Sequence, residues 1–505
     1  MNAHELRTVF RNPASQDVKG TNINRNRIIW FLFSIVLVEA IVSIPELNLE
    51  LALRHRSPFT CVAGFLIAAL AVFVGWRFRT RIAAGAYGLG ERLSNIPRAG
   101  WLFGCAVTGA LLRLSWMVVY PAPQRSDFAT YVELARDLLE THRYGSPHVG
   151  LAFWPPGYPI LLYLHFLIFG VHSWVPAICN YILFLCTLFA VDRIATRIVG
   201  AHAGRVGTLL LLFWPEFFTS GWLASKELLV ASLLPLSLLA YFNSAADRPR
   251  KAQVAWLILA GMMLGFAGLG QPSMVLFPIV FLICDWLRKE NFIWSTARLA
   301  CTVSAILLVI LPWTVRNHRV LGEWILVSSN GGSVFYRANN ELATGGFTQS
   351  GSYEFERLDE VSKSRLGYKM AGDWIRRNPA QFLVLALRKQ VLFLGDDSTG
   401  VYETLKRGIG MSGLEYAAWK GISNAYWLAI WIFILAGIAV HWNAPVSSSG
   451  EVSALMLGVL YLYSIHSVFE SNGKYHLPLI GLFAVLASVS SSSGPSKNQR
   501  RGATT

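Results

Sequence analysis

Long apolar stretches alternate with short polar segments along most of the chain. Many of these stretches run for about 17–20 residues with few charges, the length that a helix needs to cross a membrane. They predict an all-α, polytopic membrane protein with about twelve transmembrane helices. The predicted spans are residues 28–44, 58–76, 100–120, 174–191, 203–219, 223–242, 254–270, 272–287, 297–313, 422–441, 452–469 and 475–490.

Composition and charge agree with this pattern. Hydrophobic residues make up 54% of the 505 residues and charged residues 14%, whereas soluble domains carry about 25% charged residues. The net charge of +15 does not indicate nucleic-acid binding, because Lys and Arg concentrate between the spans, as the positive-inside rule expects. We expect both termini in the cytoplasm, together with the basic segments 77–98, 193–205, 248–251 and 288–298.

These basic segments also constrain the path of the chain. If 77–98 is cytoplasmic, the span 100–120 ends on the outer side, and the span 174–191 must return inward. The apolar segment 154–170 therefore cannot be a simple crossing. We predict a re-entrant or interfacial helix there, and Pro155, Pro156 and Gly157 fit a broken entry to it.

About one hundred residues after position 313 contain no convincing crossing. A helical pattern covers residues 359–378. A second piece, 380–395, is interrupted by Arg388 and Lys389, which favours an interfacial helix over a spanning one. The six cysteines have neither zinc nor redox spacing and are interpreted as packing residues.

The segment 126–170 is the most informative part of the chain. Asp127 leads an amphipathic helix, and a Trp-Pro-Pro-Gly-Tyr-Pro block follows at 154–159. This arrangement resembles the start of the catalytic module in GT-C glycosyltransferases, especially family 39. That family includes protein O-mannosyltransferases and bacterial lipid-A aminoarabinose transferases, which move a sugar from a polyprenyl-phosphate carrier to an acceptor outside the cytoplasm.

The resemblance covers roughly residues 100–490 and implies a GT-C arrangement. Residues 1–99 would be a cytoplasmic tail with two extra spans, and 100–313 the catalytic module with an outer loop at 121–173. Extracytoplasmic juxtamembrane helices would lie between the first two core spans. Residues 314–420 would be an extracytoplasmic loop region with a small α/β part, and 421–505 the last spans and a cytoplasmic tail. It also implies a bacterial inner membrane, with the active site facing the periplasm.

Asp127 is the first candidate for chemistry. At a helix start, free N–H groups and the helix dipole keep a carboxylate ionised, and an ionised carboxylate can take a proton from an acceptor hydroxyl. An ordinary helix cap would use the same residue. The resemblance favours catalysis, because the corresponding acidic residue is the family's proposed base.

Other candidates follow from the same resemblance. Lys474 stands at the position of a family arginine and would hold the donor phosphate, with Arg113 or Arg388; a basic residue ending a helix is the alternative. Asn side chains are good partners for sugar hydroxyls, although ordinary turns also use them. The predicted substrate-binding or supporting residues are Tyr131, Trp154, Lys226, Glu227, Gln271, Asn330, Asn339, Asn340, Tyr475 and His476.

Ionisable residues in membranes are costly and usually face a cavity. In the predicted topology, several polar residues meet at the outer ends of spans and indicate one polar cavity beside Asp127. They are Arg113, Glu216, Lys226, Glu227, Gln271 and Lys474.

These features predict a membrane glycosyltransferase, inverting, with an Asp base. Its partners would be the lipid bilayer, a polyprenyl-phosphate sugar donor, and a glycan, lipid or protein acceptor. The sequence identifies no cofactor and leaves a divalent cation open. The alternatives are a secondary transporter or flippase for a lipid-linked sugar, and a non-catalytic scaffold of a polysaccharide-export complex.

Overall fold

The computed structural model describes residues 18–53, 57–146, 148–245, 248–348, 357–442 and 450–491. Every regular element among them is a helix, and ten helical stretches are long and apolar enough to cross a membrane. Nine of them each lie in a single α-helix, and the tenth, Gly473–Ser491, joins 3₁₀- and α-helical turns. The prediction of an all-α, multi-pass membrane protein is therefore confirmed. The ends of the predicted cytoplasmic tails lie outside the described residues.

The helices have the following bounds. In chain order they are α1 (Val18–Leu53), α2 (Pro58–Arg77), α3 (Arg79–Ser94), α4 (Arg98–Val119), α5 (Asp127–Thr141), α6 (Gly157–Phe169), α7 (Val175–Ile198), α8 (Ala201–Leu212), α9 (Pro215–Thr219), α10 (Lys226–Asn243), α11 (Arg250–Gly270), α12 (Pro278–Leu287), α13 (Phe292–Leu321), α14 (Gly331–Ala338), α15 (Glu360–Arg377), α16 (Pro379–Leu394), α17 (Leu414–His441), α18 (Gly450–Val468) and α19 (Ile480–Ser488). Short 3₁₀-helices cover Pro272–Leu276 and Gly473–Leu479, and a π-helix covers Tyr402–Gly408.

One end of the bundle is held by buried ion pairs between helix ends. Asp192, near the end of α7, accepts from Arg98 at the start of α4 and from Arg205 in α8, at 2.6 and 3.2 Å. Asp285 in α12 accepts from Arg298 in α13 at 2.9 Å. Buried charges are tolerated when they are paired. This end carries the basic segments that the sequence predicts to be cytoplasmic, and Asp127 follows the opposite end of α4.

The count of about twelve spans is not confirmed. The predicted span 203–219 is divided between α8 and α9, and 272–287 between a 3₁₀-helix and α12. Pro215 and Pro278 open the second helix of each pair, as expected from a residue that lacks a backbone N–H.

The segment 154–170 contains only α6, a helix of 13 residues. At 1.5 Å per residue it is about 20 Å long, shorter than the ~30 Å hydrocarbon core. It packs against α5, α7 and α11. This length supports the predicted re-entrant or interfacial helix.

In the part of the outer region after α13 that the structure describes, the regular elements are helices. Helix α15 matches the pattern predicted at 359–378, and α16 falls on the predicted interfacial piece. The expected small α/β part is not confirmed, since the described residues of 314–420 contain no strand.

We predict that Arg298→Met destabilises the fold by about 3–5 kcal/mol, because it leaves Asp285 as an uncompensated buried charge. Thermal and denaturant unfolding in detergent would measure the loss. The matched control is Arg376→Met, which breaks an exposed pair with Asp373 and should change stability by less than about 0.5 kcal/mol. Equal effects of the two substitutions would contradict the structural role of Arg298.

Candidate active site

An ion pair lies at the centre of the polar end opposite Arg98. Asp127 is the first residue of α5, and Lys474 lies in the 3₁₀-helix before α19. Their side chains meet with Nζ–Oδ2 at 2.9 Å, across 347 residues of sequence. The side chains are 34% and 20% exposed, so a substrate can reach both groups.

The local backbone holds both residues in place. Ser126, just before α5, has φ of 52°, a conformation that is uncommon for non-glycine residues and concentrates at functional sites. On the other side, the Asn472 carboxamide oxygen accepts from the Lys474 backbone N–H at 3.0 Å. The positions of the carboxylate and the ammonium are therefore set by the starts of two helices.

The charge of Asp127 is fixed by its neighbours. Burial by itself raises the pKa of Asp127, but the charge and hydrogen bond of Lys474, with the Lys226 charge and the Ser126 hydroxyl, lower that pKa to about 2. Asp127 is thus ionised at neutral pH.

Predicted supporting residues surround the pair. Tyr131 is one turn after Asp127, and its ring meets Trp154 edge-on, with centroids 5.7 Å apart. Glu227, in the first turn of α10, accepts from Ser225 Oγ at 2.7 Å. Burial and then the charges of Glu227 and Asp127 raise the pKa of Tyr131, so these groups lie close together. The structure unites these residues as the sequence predicts.

Glu403 is a site residue that the sequence analysis missed. Burial raises the pKa of Glu403. The positive charges of Arg407 and Lys474 oppose this rise, and the negative charge of Asp127 adds to it. Glu403 lies on the π-helix, and π-helical turns are frequent at functional sites. The surrounding Tyr-Glu-Thr-Leu-Lys-Arg sequence carries no signal of this arrangement.

Two predicted phosphate-binding arginines do not contact Asp127. Arg113 is 8% exposed, sits 3.8 Å from the Phe184 ring centroid, and donates to the Phe217 carbonyl. Arg388 pairs with Glu50 at 2.8 Å, beside an apolar groove of about 830 Å³ between α1 and α16. Of the three predicted phosphate cations, only Lys474 contacts Asp127.

His476 and Asn339 are buried and make supporting hydrogen bonds. The His476 imidazole is fully buried and contacts Asp397 Oδ1 at 2.8 Å and the Phe393 carbonyl at 2.5 Å. Asn339 is also fully buried, and its carboxamide oxygen accepts from Lys389 at 2.8 Å. These hydrogen bonds join outer loops to the bundle, which is the supporting role of the two roles predicted for them.

The remaining predicted residues make local hydrogen bonds. Gln271 donates to Ser273, and Asn340 to the Tyr336 carbonyl. Asn330 accepts from Ser328. Substrate contacts by these residues stay predictions.

Tyr475 directly follows Lys474 and leads to a second carboxylate that sequence reasoning missed. The Tyr475 hydroxyl donates to Glu470 at 2.7 Å, and Glu470 also pairs with Arg337 at 3.2 Å. The ring of Tyr475 lies 5.3 Å from the Lys474 ammonium. The side chain of Tyr475 therefore links Lys474 to the outer region.

Residues of the outer region also form hydrogen bonds with the loop that precedes Trp154. Glu360, at the start of α15, accepts from the Ala152 N–H at 3.2 Å and from Ser329 Oγ at 3.1 Å. Arg316, in α13, donates to the Leu151 carbonyl at 2.5 Å. These bonds position Trp154, which in turn packs on Tyr131 beside Asp127.

A divalent cation needs several carboxylate, imidazole or thiolate ligands that converge on one point. Within the described ranges, no group of three or more His, Cys, Asp or Glu side chains is arranged to hold a metal ion. The divalent cation stays an untested expectation.

A family match covers the middle of this site. Residues 154–315 match the family model described as dolichyl-phosphate-mannose-protein mannosyltransferase. This confirms the predicted resemblance to GT-C family 39 over that segment. The mannosyltransferase-like segment includes Trp154, Lys226 and Glu227, whereas Asp127 and Lys474 lie outside it. No curated protein matches the sequence.

Solved structures resemble the chain at low identity. The archaeal oligosaccharyltransferase AglB from Archaeoglobus fulgidus, in complex with an inhibitory peptide and a dolichol-phosphate, shares 13% identity over 77% of this chain and 50% of that chain, with TM-score 0.47. ArnT from Cupriavidus metallidurans bound to undecaprenyl phosphate shares 16% sequence identity over 78% of this chain and 77% of that chain, with TM-score 0.42. The chain thus spans about half the length of the archaeal enzyme.

We predict that Glu360→Ala loosens the loop before Trp154, because the Ala152 amide loses its acceptor. Hydrogen exchange measured by mass spectrometry should show faster exchange in peptides that cover residues 148–156. The control is Glu323→Ala, which breaks an exposed pair with Arg365 and should leave this loop unchanged. Unaltered exchange in Glu360→Ala would show that the other hydrogen bonds to this loop, from Arg316, the Ser329 amide and the Tyr144 hydroxyl, are sufficient to hold it.

Proposed function

We propose that this protein is an integral membrane glycosyltransferase that moves a sugar from a polyprenyl-phosphate-linked donor to an acceptor outside the cytoplasm. The observation that carries the proposal is the ionised, partly exposed Asp127 paired with Lys474. The pair lies beside the mannosyltransferase-like segment 154–315. The polar end that holds Asp127 would face the periplasm of a bacterial inner membrane.

In this mechanism Asp127 is the general base. The acceptor hydroxyl gives its proton to the Asp127 carboxylate as its oxygen bonds to the anomeric carbon of the sugar. The bond from that carbon to the donor phosphate breaks, and its electron pair leaves with the phosphate. Attack from the opposite face inverts the configuration. No general acid is needed, because the polyprenyl phosphate departs as a stable monoester anion.

Lys474 would serve both reacting groups. An ammonium has three N–H donors, and Asp127 accepts one of them. The remaining donors can meet the departing phosphate, where an aimed positive charge stabilises the charge that develops in the transition state. The apolar helices around the site would hold the polyprenyl tail, and the acceptor would be a glycan, a lipid or a protein.

We predict that Asp127→Asn lowers the rate of sugar transfer by about 10²–10⁴-fold, the contribution of a positioned base. Mass spectrometry of glycans and lipids from a deletion strain, complemented with wild type or Asp127→Asn, would first identify the product. Rates are then measured with purified protein in nanodiscs. The matched control, Glu133→Gln, removes an exposed carboxylate from the same helix.

The same experiment separates the alternatives. A transporter or a scaffold would change the distribution of a lipid-linked sugar without forming a new glycosidic bond in the purified system. Near-wild-type turnover by folded Asp127→Asn protein would remove Asp127 as the base, and absence of any transfer by wild type would favour one of the alternatives.

We predict that Lys474→Ala moves the acidic limb of the pH profile of kcat/KM upward by roughly two pH units. Asp127 must be ionised to act, and Lys474, more than any other group, lowers its pKa to about 2. Without that charge the pKa rises toward the ordinary value of about 3.9, so activity is lost at a higher pH as the solution is acidified. Lys406→Ala, which removes an exposed lysine, should leave the limb in place. An unmoved limb in Lys474→Ala would show that the pair does not control the base.

A further inference from the structure

Lys226 differs from the other partly buried basic residues near Asp127. Its side chain makes neither a hydrogen bond nor an ion pair with any residue that the structure describes, yet its charge lowers the pKa of Asp127. The other cations at this end have polar partners. They are Lys474 with Asp127, Arg337 with Glu470, Lys420 with Asp396, and Lys389 with Asn339.

The position of Lys226 suits an anion. It is the first residue of α10, an 18-residue helix whose N-cap residue, Ser225, makes no capping bond with its side chain. Free N–H groups and the helix dipole attract negative charge at such an end. Below the loop that leads into α10, the Arg113 Nε atom is buried without a partner. A Cβ placed on Gly221 would lie 3.1 Å from that atom.

Arg113 adds a second, independent indication. Its guanidinium is 8% exposed, and it forms no ion pair within the described part of the chain. A buried charge without a counter-charge is costly. An anion bound over the Gly221–Ser225 loop would offset both cations at once.

Two buried oxygen atoms beside Lys226 also lack hydrogen-bond partners. Glu227 Oε1 and the Tyr131 hydroxyl are buried and form no hydrogen bond with described residues. Glu227 is 2% exposed and Tyr131 is 1% exposed. Buried polar atoms are normally paired, so both atoms suit a ligand that supplies hydroxyl groups.

We infer that the first turn of α10 is a binding site for a sugar phosphate, with Lys226 on the phosphate and Glu227 and Tyr131 on the sugar hydroxyls. This inference rests on the proposed function and names the donor head group as the ligand. Lys226 and Lys474 would hold the phosphate from two sides of Asp127. The guanidinium of Arg113 would add positive charge from beneath the Gly221–Ser225 loop. Arg388 is paired with Glu50 and takes no part.

The test measures binding without turnover. Undecaprenyl phosphate, undecaprenol and inorganic phosphate are titrated into the full-length protein in detergent by calorimetry. We expect Lys226→Ala to weaken binding of undecaprenyl phosphate about ten- to a hundredfold, the loss of one charged hydrogen bond. Binding of undecaprenol should not change. Lys226→Arg should restore most of the affinity, and the control Lys406→Ala should bind as wild type does.

The outcomes separate this site from the proposed function. Equal affinity of wild type and Lys226→Ala for undecaprenyl phosphate would overturn the site while the polyprenyl donor stands. Binding of inorganic phosphate through Lys226, without binding of undecaprenyl phosphate, would support the anion site and overturn the polyprenyl donor. If neither phosphate binds wild type, both are wrong.

Discussion

The ion pair of Asp127 and Lys474 joins the first outer helix to the last span. It forms where two helix starts approach each other, and each charge offsets part of the cost of burying the other, since burial penalises an isolated charge. The Glu227, Tyr131 and Glu403 side chains that surround the pair come from three separate segments. The pair thus fixes the place at which these segments must meet.

A second set of buried contacts holds the segments around the Asp127–Lys474 ion pair in place. Both ring nitrogens of His476 face acceptors, Asp397 and the Phe393 carbonyl, which holds the 3₁₀-helix of Lys474 against the loop after α16. Glu360 and Arg316 hold the loop before Trp154. The outer region therefore acts on the site through hydrogen bonds to backbone, and its own side chains need not touch a substrate to matter.

Much of the fold could be predicted from the sequence because membrane helices follow length and hydropathy. Asp127 could be found because a carboxylate at an amphipathic helix start has a local signature. Glu403 could not, since a π-helical turn formed by tertiary packing leaves no pattern in the sequence. His476 and Asn339 were predicted to bind or to support the substrate, because the same side chains bind sugars and join loops, and only the structure shows the loop contacts that they make.

The pairing of Asp127 creates a conflict that the proposed reaction must resolve. A carboxylate whose pKa is about 2 is a weak base while Lys474 is bound to it. A donor phosphate that attracts the same ammonium draws positive charge away from Asp127 and raises its pKa, which makes it a stronger base. Binding of the donor would then precede effective proton transfer. A charge pair that is stable in the empty site can in this way limit activation of the acceptor, or of water, until the donor is present.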